Sequence, residues 1–147
     1  MIEDRDRLQL VERLQESRQH LLAALDGVTE RDFATKVPVR DGQGEEAADS
    51  VVRLLAGLAL NERREVAAAL GHSIDGRVPE KPVPPQVMHD LAGARYRTYR
   101  YLEHENATLE RASALVEAIE QRERETARRI RERPPLDPPP LIPVVRP

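Results

Sequence analysis

Four runs in which apolar residues recur every three or four positions, three of them closed by glycine or proline, restrict this chain to a helical fold. The first run places Leu8, Val11, Leu14, Leu21, Leu22 and Leu25 on one face between Asp4 and about Asp26, and Gly27 ends it. Thr29-Glu-Arg-Asp and Phe33 follow, but Pro38, Gly42 and Gly44 leave room for one helical turn at most. The second run, Val51, Leu54, Leu55, Leu58, Val66 and Leu70, has Asp49 or Ser50 to cap its start and Gly71 to stop it. Gly76, Pro79, Pro82, Pro84 and Pro85 then crowd the stretch from His72 to Pro85, which reads as a long loop crossing one end of a bundle. Pro85 suits the first turn of a third helix, where the missing N–H breaks no intrahelical bond, and Val87, Met88, Leu91, Ala94, Thr98 and Leu102 carry the face to about Glu105. Leu109, Ala112, Leu115, Val116, Ile119 and Ile130 mark a fourth helix that ends before Pro134.

Between Ala94 and Arg133 there is neither glycine nor proline, and Leu91, Arg95, Thr98, Leu102, Leu109, Ala112, Val116 and Ile119 run almost in heptads. One long helix would satisfy that pattern. A break at Asn106-Ala107-Thr108 is the preferred reading, because Asn and Thr are poor helix formers and a compact bundle needs the chain to turn back.

A length of 147 residues suits one domain. With no cysteine there is no disulfide framework, thiolate metal site or cysteine nucleophile. Met1-Ile-Glu-Asp-Arg-Asp-Arg alternates charges where a secretory signal needs a basic start and an apolar run, and no stretch approaches the ~20 apolar residues of a membrane span. A cytoplasmic protein without a membrane partner is expected. The 23 basic and 26 acidic residues are mixed, leaving a net charge of −3 and no field of one sign to attract a polyanion. Tyr96, Tyr99 and Tyr101 interleave with Arg95, Arg97 and Arg100, but successive helix positions point apart, so the rings make no stacking platform and nucleic acid is not an expected partner.

The wording of the helices resembles the DinB-like superfamily. Leu22-Ala-Ala-Leu-Asp-Gly-Val-Thr-Glu-Arg-Asp-Phe, Ser50-Val-Val-Arg-Leu-Leu-Ala-Gly-Leu-Ala-Leu-Asn-Glu-Arg-Arg-Glu-Val and Ala114-Leu-Val-Glu-Ala-Ile-Glu-Gln-Arg-Glu-Arg-Glu-Thr-Ala are similar to that family's most readable segments, over most of residues 4–133. The resemblance implies a four-helix bundle, so the expected fold is an all-α, up-down four-helix bundle over residues 1–133, to which the residues themselves add the long loop between the second and third helices and a proline-rich tail over 134–147. It also implies, for active members, a divalent metal held by one histidine of the second helix and two, four residues apart, of the fourth. Those positions fall here on Gly57, Arg122 and Thr126, with Asn61 one turn beyond Gly57. Glycine has no side chain, arginine is a fixed cation and threonine a weak ligand, so neither a zinc or nickel site nor any other cofactor is expected.

Asn61, Arg95, Arg122, Glu123 and Thr126 are the polar residues on faces that should be buried, and they are the candidate pocket. Arg122 could hold a ligand carboxylate, or an internal salt bridge with Glu62, Glu65 or Glu123 could fill the same space. His20, His72, His89 and His104 are scattered, and the last two lie about 22 Å apart along one helix, too far to share an ion. The arginines from Arg122 to Arg133 crowd the end of the last helix, where the helix dipole favours cations. Residues 134–147 carry Leu136, Leu141, Ile142, Val144 and Val145 on an extended, proline-stiffened backbone that could pack in a groove of its own bundle or of a second copy. No catalytic constellation is legible. The expectation is a metal-free DinB-like bundle, a homodimer, that binds a small ligand or a protein. Against it stand a metal-dependent transferase or isomerase using a low-molecular-weight thiol, and a structural dimerisation module.

Overall fold

The computed structural model describes residues 1–29, 33, 36–40 and 46–133. Four helices dominate it: α1 (Asp4–Ala24), α2 (Val51–Ala69), α3 (Pro84–Leu102) and α4 (Leu109–Arg131). A short antiparallel ribbon of β1 (Lys36–Arg40) and β2 (Glu46–Ser50) lies between α1 and α2. The tail over 134–147 and its expected packing lie outside the described residues.

The helix ends follow local chemistry. Ser50 caps α2, its side chain accepting from the Arg53 N–H at 3.2 Å. At the other end Gly71 takes φ +79° and the Gly71 and His72 N–H groups donate back to the Ala68 and Ala67 carbonyls, closing a Schellman turn. Pro85 lies in the first turn of α3 as expected, and the helix opens one residue earlier, at Pro84. The heptad stripe does break: α3 stops at Leu102 and Thr108 caps α4 by accepting from the Arg111 N–H at 3.3 Å. Buried Ala107 anchors the turn between them.

The ribbon was not anticipated. Its register pairs Lys36 with Ser50 and Pro38 with Ala48. Both strands of a two-stranded ribbon are edges, which is where a proline without an N–H is tolerated, so Pro38 did not exclude a strand. The face of α1 also differs from the expected one. Leu10, Leu14, Leu21 and Ala24 are buried, whereas Leu8 and Leu22 are exposed. Leu8 lies about 200° around the helix from Leu10, so both cannot face the core.

Two apolar clusters divide the core, and their membership gives the helix directions. One joins Leu21 and Ala24 at the end of α1 to Val51, Val52 and Leu55 at the start of α2, Val87 and Leu91 at the start of α3, and Ala127 and Ile130 at the end of α4. The other joins Leu10 and Leu14 to Val66, to Tyr101 and Leu102, and to Ala112, Leu115, Val116 and Ile119. Helices α2 and α3 therefore run in one sense and α1 and α4 in the other. The strict up-down alternation expected from the sequence is corrected to up-down-down-up.

Two neighbouring helices can run in the same sense only if the connection travels back along their length. A helix of 19 residues such as α2 is about 28 Å long, and the extended connection over residues 70–83 can reach roughly 45 Å. Its course is marked by contacts. Ile74 lies near Arg63 and Leu70, the Arg64 guanidinium donates to the Gly76 carbonyl, and Val78 comes beside Gly57. The chain thus runs back down α2, covering one flank of that helix. No helix among the described residues is long and apolar enough to cross a membrane.

Candidate functional site

The residues singled out from the sequence separate into two places. Arg95 and Glu123 meet in the middle of the bundle, between the two apolar clusters. Gly57, Asn61, Arg122 and Thr126 instead line an outer groove between α2 and α4.

In the bundle centre each helix supplies one charged side chain: Arg18 from α1, Glu62 from α2, Arg95 from α3 and Glu123 from α4. Arg95 donates through Nε to Glu62 Oε2 at 3.1 Å, through Nη2 to Glu123 Oε1 at 2.6 Å, and through Nη1 to the Leu14 carbonyl at 2.8 Å. Arg18 Nε donates to Glu123 Oε2 at 2.7 Å, and its Nη2 stands 3.6 Å from Glu62 Oε1. Thr98 Oγ1 donates to Glu62 Oε2 at 2.7 Å and Ser17 Oγ to Glu123 Oε1 at 3.1 Å. Every carboxylate oxygen has a donor, and two positive charges balance two negative ones. Burial works against the Arg95 guanidinium, yet the facing Glu62 and Glu123 carboxylates outweigh it and hold the guanidinium pKa above its ordinary value. The charges of the assembly thus neutralise one another inside the bundle. Its chemistry is to fix four helices in register.

The groove is the more open place, with a volume of about 720 Å³. Gly57 and Asn61 come from α2, Arg122 and Thr126 from α4, and Val78 from the crossing connection. A Cβ added at Gly57 would meet Val78 Cγ2 at 3.9 Å, an ordinary contact, so glycine is not required there for space. Thr126 is buried and Asn61 half-buried. Arg122 is not buried as expected. Its side chain is 43% exposed and ion-paired with Glu65, one of the three partners considered for it. Burial pushes the Glu65 carboxyl above the usual carboxylate range, the Arg122 charge and hydrogen bond offsetting this in part and the Glu62 charge adding to it. Glu65 Oε2 is buried with no hydrogen-bond partner.

These donors do not suit a metal. Gly57 offers nothing, Arg122 is a cation already engaged by Glu65, and Thr126 and Asn61 offer only neutral oxygens. Among the described residues no three of His, Cys, Asp and Glu gather closely enough to hold an ion. His20 contacts Arg131 at 3.0 Å, while the exposed His89 and the half-buried His104 remain apart on α3 and just beyond it. Tyr96 is exposed, Tyr99 half-buried and Tyr101 buried, so the three rings occupy three environments. At the end of α4, Arg128 pairs with Glu125 and Glu132, and Arg129 with Glu125.

Sequence reasoning missed Arg18 altogether and assigned Glu62 only as a possible partner of Arg122. The signal was present. Arg18 lies four residues after Leu14 and three before Leu21, and Glu62 four after Leu58 and four before Val66, so both interrupt buried stripes. Comparison with protein-family models, with curated proteins and with solved structures yields no match to this chain.

Proposed function

We propose that this chain is a bundle of the DinB-like type in which binding of a small carboxylate ligand replaces metal chemistry. The ligand site is the α2–α4 groove, with Arg122, Asn61 and Thr126 as the polar groups that receive it. One observation carries this reading. The positions that the family resemblance assigns to metal ligands, Gly57, Arg122 and Thr126, line a single groove although two distant helices supply them. Glu65 serves there as an internal stand-in: its half-desolvated carboxylate occupies the guanidinium that a ligand carboxylate would take.

Two measurements test the reading together. Elemental analysis after incubation with zinc or nickel is expected to show no stoichiometric metal; near one equivalent would restore the thiol-dependent transferase or isomerase. A thermal-shift screen of small carboxylates is expected to give stabilising compounds whose effect disappears in Arg122→Ala, while that variant alone loses no more than ~1 kcal/mol, as befits an exposed ion pair. Compounds that stabilise both proteins equally would rule out the groove. A homodimer belongs to the same reading, with the apolar residues of 134–147 as its means of assembly, and the mass in solution decides it.

A further inference from the structure

A second cavity, of about 490 Å³, opens between α2 and α3 at their C-terminal ends. Arg63, Val66, Ala67 and Leu70 line it from one side, and Arg97, Arg100, Tyr101 and His104 from the other. Both sets have the spacing i, i+3, i+4, i+7, so each helix turns one stripe toward the cavity, Leu70 and His104 extending it just past the helix ends. Ile74 and His72 of the crossing connection complete the wall. Its volume lies in the range of small-molecule sites, roughly 300–1,000 Å³.

The lining has two characters. Val66, Leu70, Ile74 and Tyr101 make an apolar floor, and Arg63, Arg97 and Arg100 supply three guanidinium groups with no carboxylate among the lining residues. Elsewhere on the molecule Arg13 is paired with Glu120 and Arg122 with Glu65. Among the described residues none of these three forms an ion pair, and Arg63 Nε is buried without a hydrogen-bond partner. An adjoining hollow of about 350 Å³ shares Leu70, His72, Tyr101 and His104 with the cavity and adds Asn106 and Arg111, again without an acid. His104 Nδ1 accepts the Asn106 N–H at 3.1 Å, which leaves Nε2 to carry the proton of the neutral ring.

We propose that this cavity binds an organic anion with an apolar body, of the fatty-carboxylate class. The chain lies on the floor of Val66, Leu70, Ile74 and Tyr101, and the carboxylate takes the fork of donors offered by Arg63, Arg97 and Arg100. The apolar floor supplies affinity without direction, and the unpaired guanidinium groups supply the selectivity for negative charge. This site is separate from the α2–α4 groove and does not depend on it.

The test uses the full chain with octanoate, octanol and octyltrimethylammonium as probes, followed by calorimetry and by amide chemical shifts. Octanoate is expected to bind saturably at one site, at least about tenfold more tightly than either other probe, with shifts concentrated at Leu70, Ile74 and Tyr101. The double variant Arg97→Glu/Arg100→Glu, which alters two exposed positions, is expected to weaken octanoate at least about tenfold. Arg5→Glu/Arg124→Glu, with the same change in net charge elsewhere, is expected to leave it unchanged. Equal binding of octanol, unaltered binding by the first variant, absence of saturable binding, or shifts centred on Gly57 and Arg122 would each overturn the proposal. The probe comparison on the unaltered chain decides the matter even if the double variant folds poorly.

Discussion

Replacing Arg95 with methionine would leave Glu62 and Glu123 buried and facing one another with only the peripheral Arg18 to neutralise them. Losing one member of a buried ionic network typically costs about 3–5 kcal/mol, and chemical denaturation of Arg95→Met should show a loss of that size. The triple variant Arg95→Met/Glu62→Leu/Glu123→Leu should recover most of it, because the desolvation cost goes with the charges, and Arg18 at 15% exposure can turn its head group to water. Glu65 gives a pH signature. Its folded pKa is raised, so the native state keeps a proton that the unfolded chain has already released, and this contribution to stability is lost as pH rises through the window just above the ordinary carboxylate range. Unfolding measured across that window should fall more steeply with pH in the wild type than in Glu65→Gln, and the two profiles should run parallel at higher pH. Parallel profiles throughout would show that Glu65 is not perturbed. At this scale the sequence exposed the polar residues that interrupt apolar stripes, Arg95, Glu123 and Thr126 among them. It could not tell that Arg122, one position before Glu123, turns outward, since on a helix adjacent positions lie about 100° apart and the exact edge of a buried stripe depends on the neighbouring helices.

Helix boundaries were the most legible elements, because caps and stops are chemistry between residues a few positions apart. Ser50→Ala and Thr108→Ala each remove an acceptor for an otherwise unpaired first-turn N–H, and each should cost about 1 kcal/mol in equilibrium unfolding. Gly71→Ala forces a side chain into φ +79° and should cost a similar ~1 kcal/mol. The β1–β2 ribbon was illegible for the complementary reason. Its pairing joins Lys36 to Ser50 and Arg40 to Glu46, partners separated in the chain, and no periodicity within a five-residue strand announces a partner. On α1 the sequence placed Leu14 and Leu21 on the buried face correctly but chose Leu8 over Leu10, since leucines at both positions fit an apolar spacing and only packing against the other helices selects Leu10.

For the whole molecule, the connection over residues 70–83 decides which helices can be parallel. Deleting residues 73–80 would leave six residues able to span only about 21 Å, less than the ~28 Å of α2. The expected outcome is loss of the native monomer topology, seen as a collapse of the cross-helix contacts between Val66 and Tyr101 in a nuclear Overhauser spectrum, or as exchange of α3 between two copies. Retention of those contacts in a monomer would show that the connection does not impose the direction of α3. By itself the sequence indicated four helices and their approximate ends, favoured a break between α3 and α4 over one long helix, and marked the stretch after Gly71 as a long crossing. All of these follow from helical period, capping and breaking residues, which act over a few neighbours. Only the tertiary structure decided that α2 and α3 run the same way, that one charge from each helix meets at the centre, and that Arg122 faces the groove. An apolar stripe declares that a face will be buried, but the identity of what it is buried against is set by how all four helices pack at once.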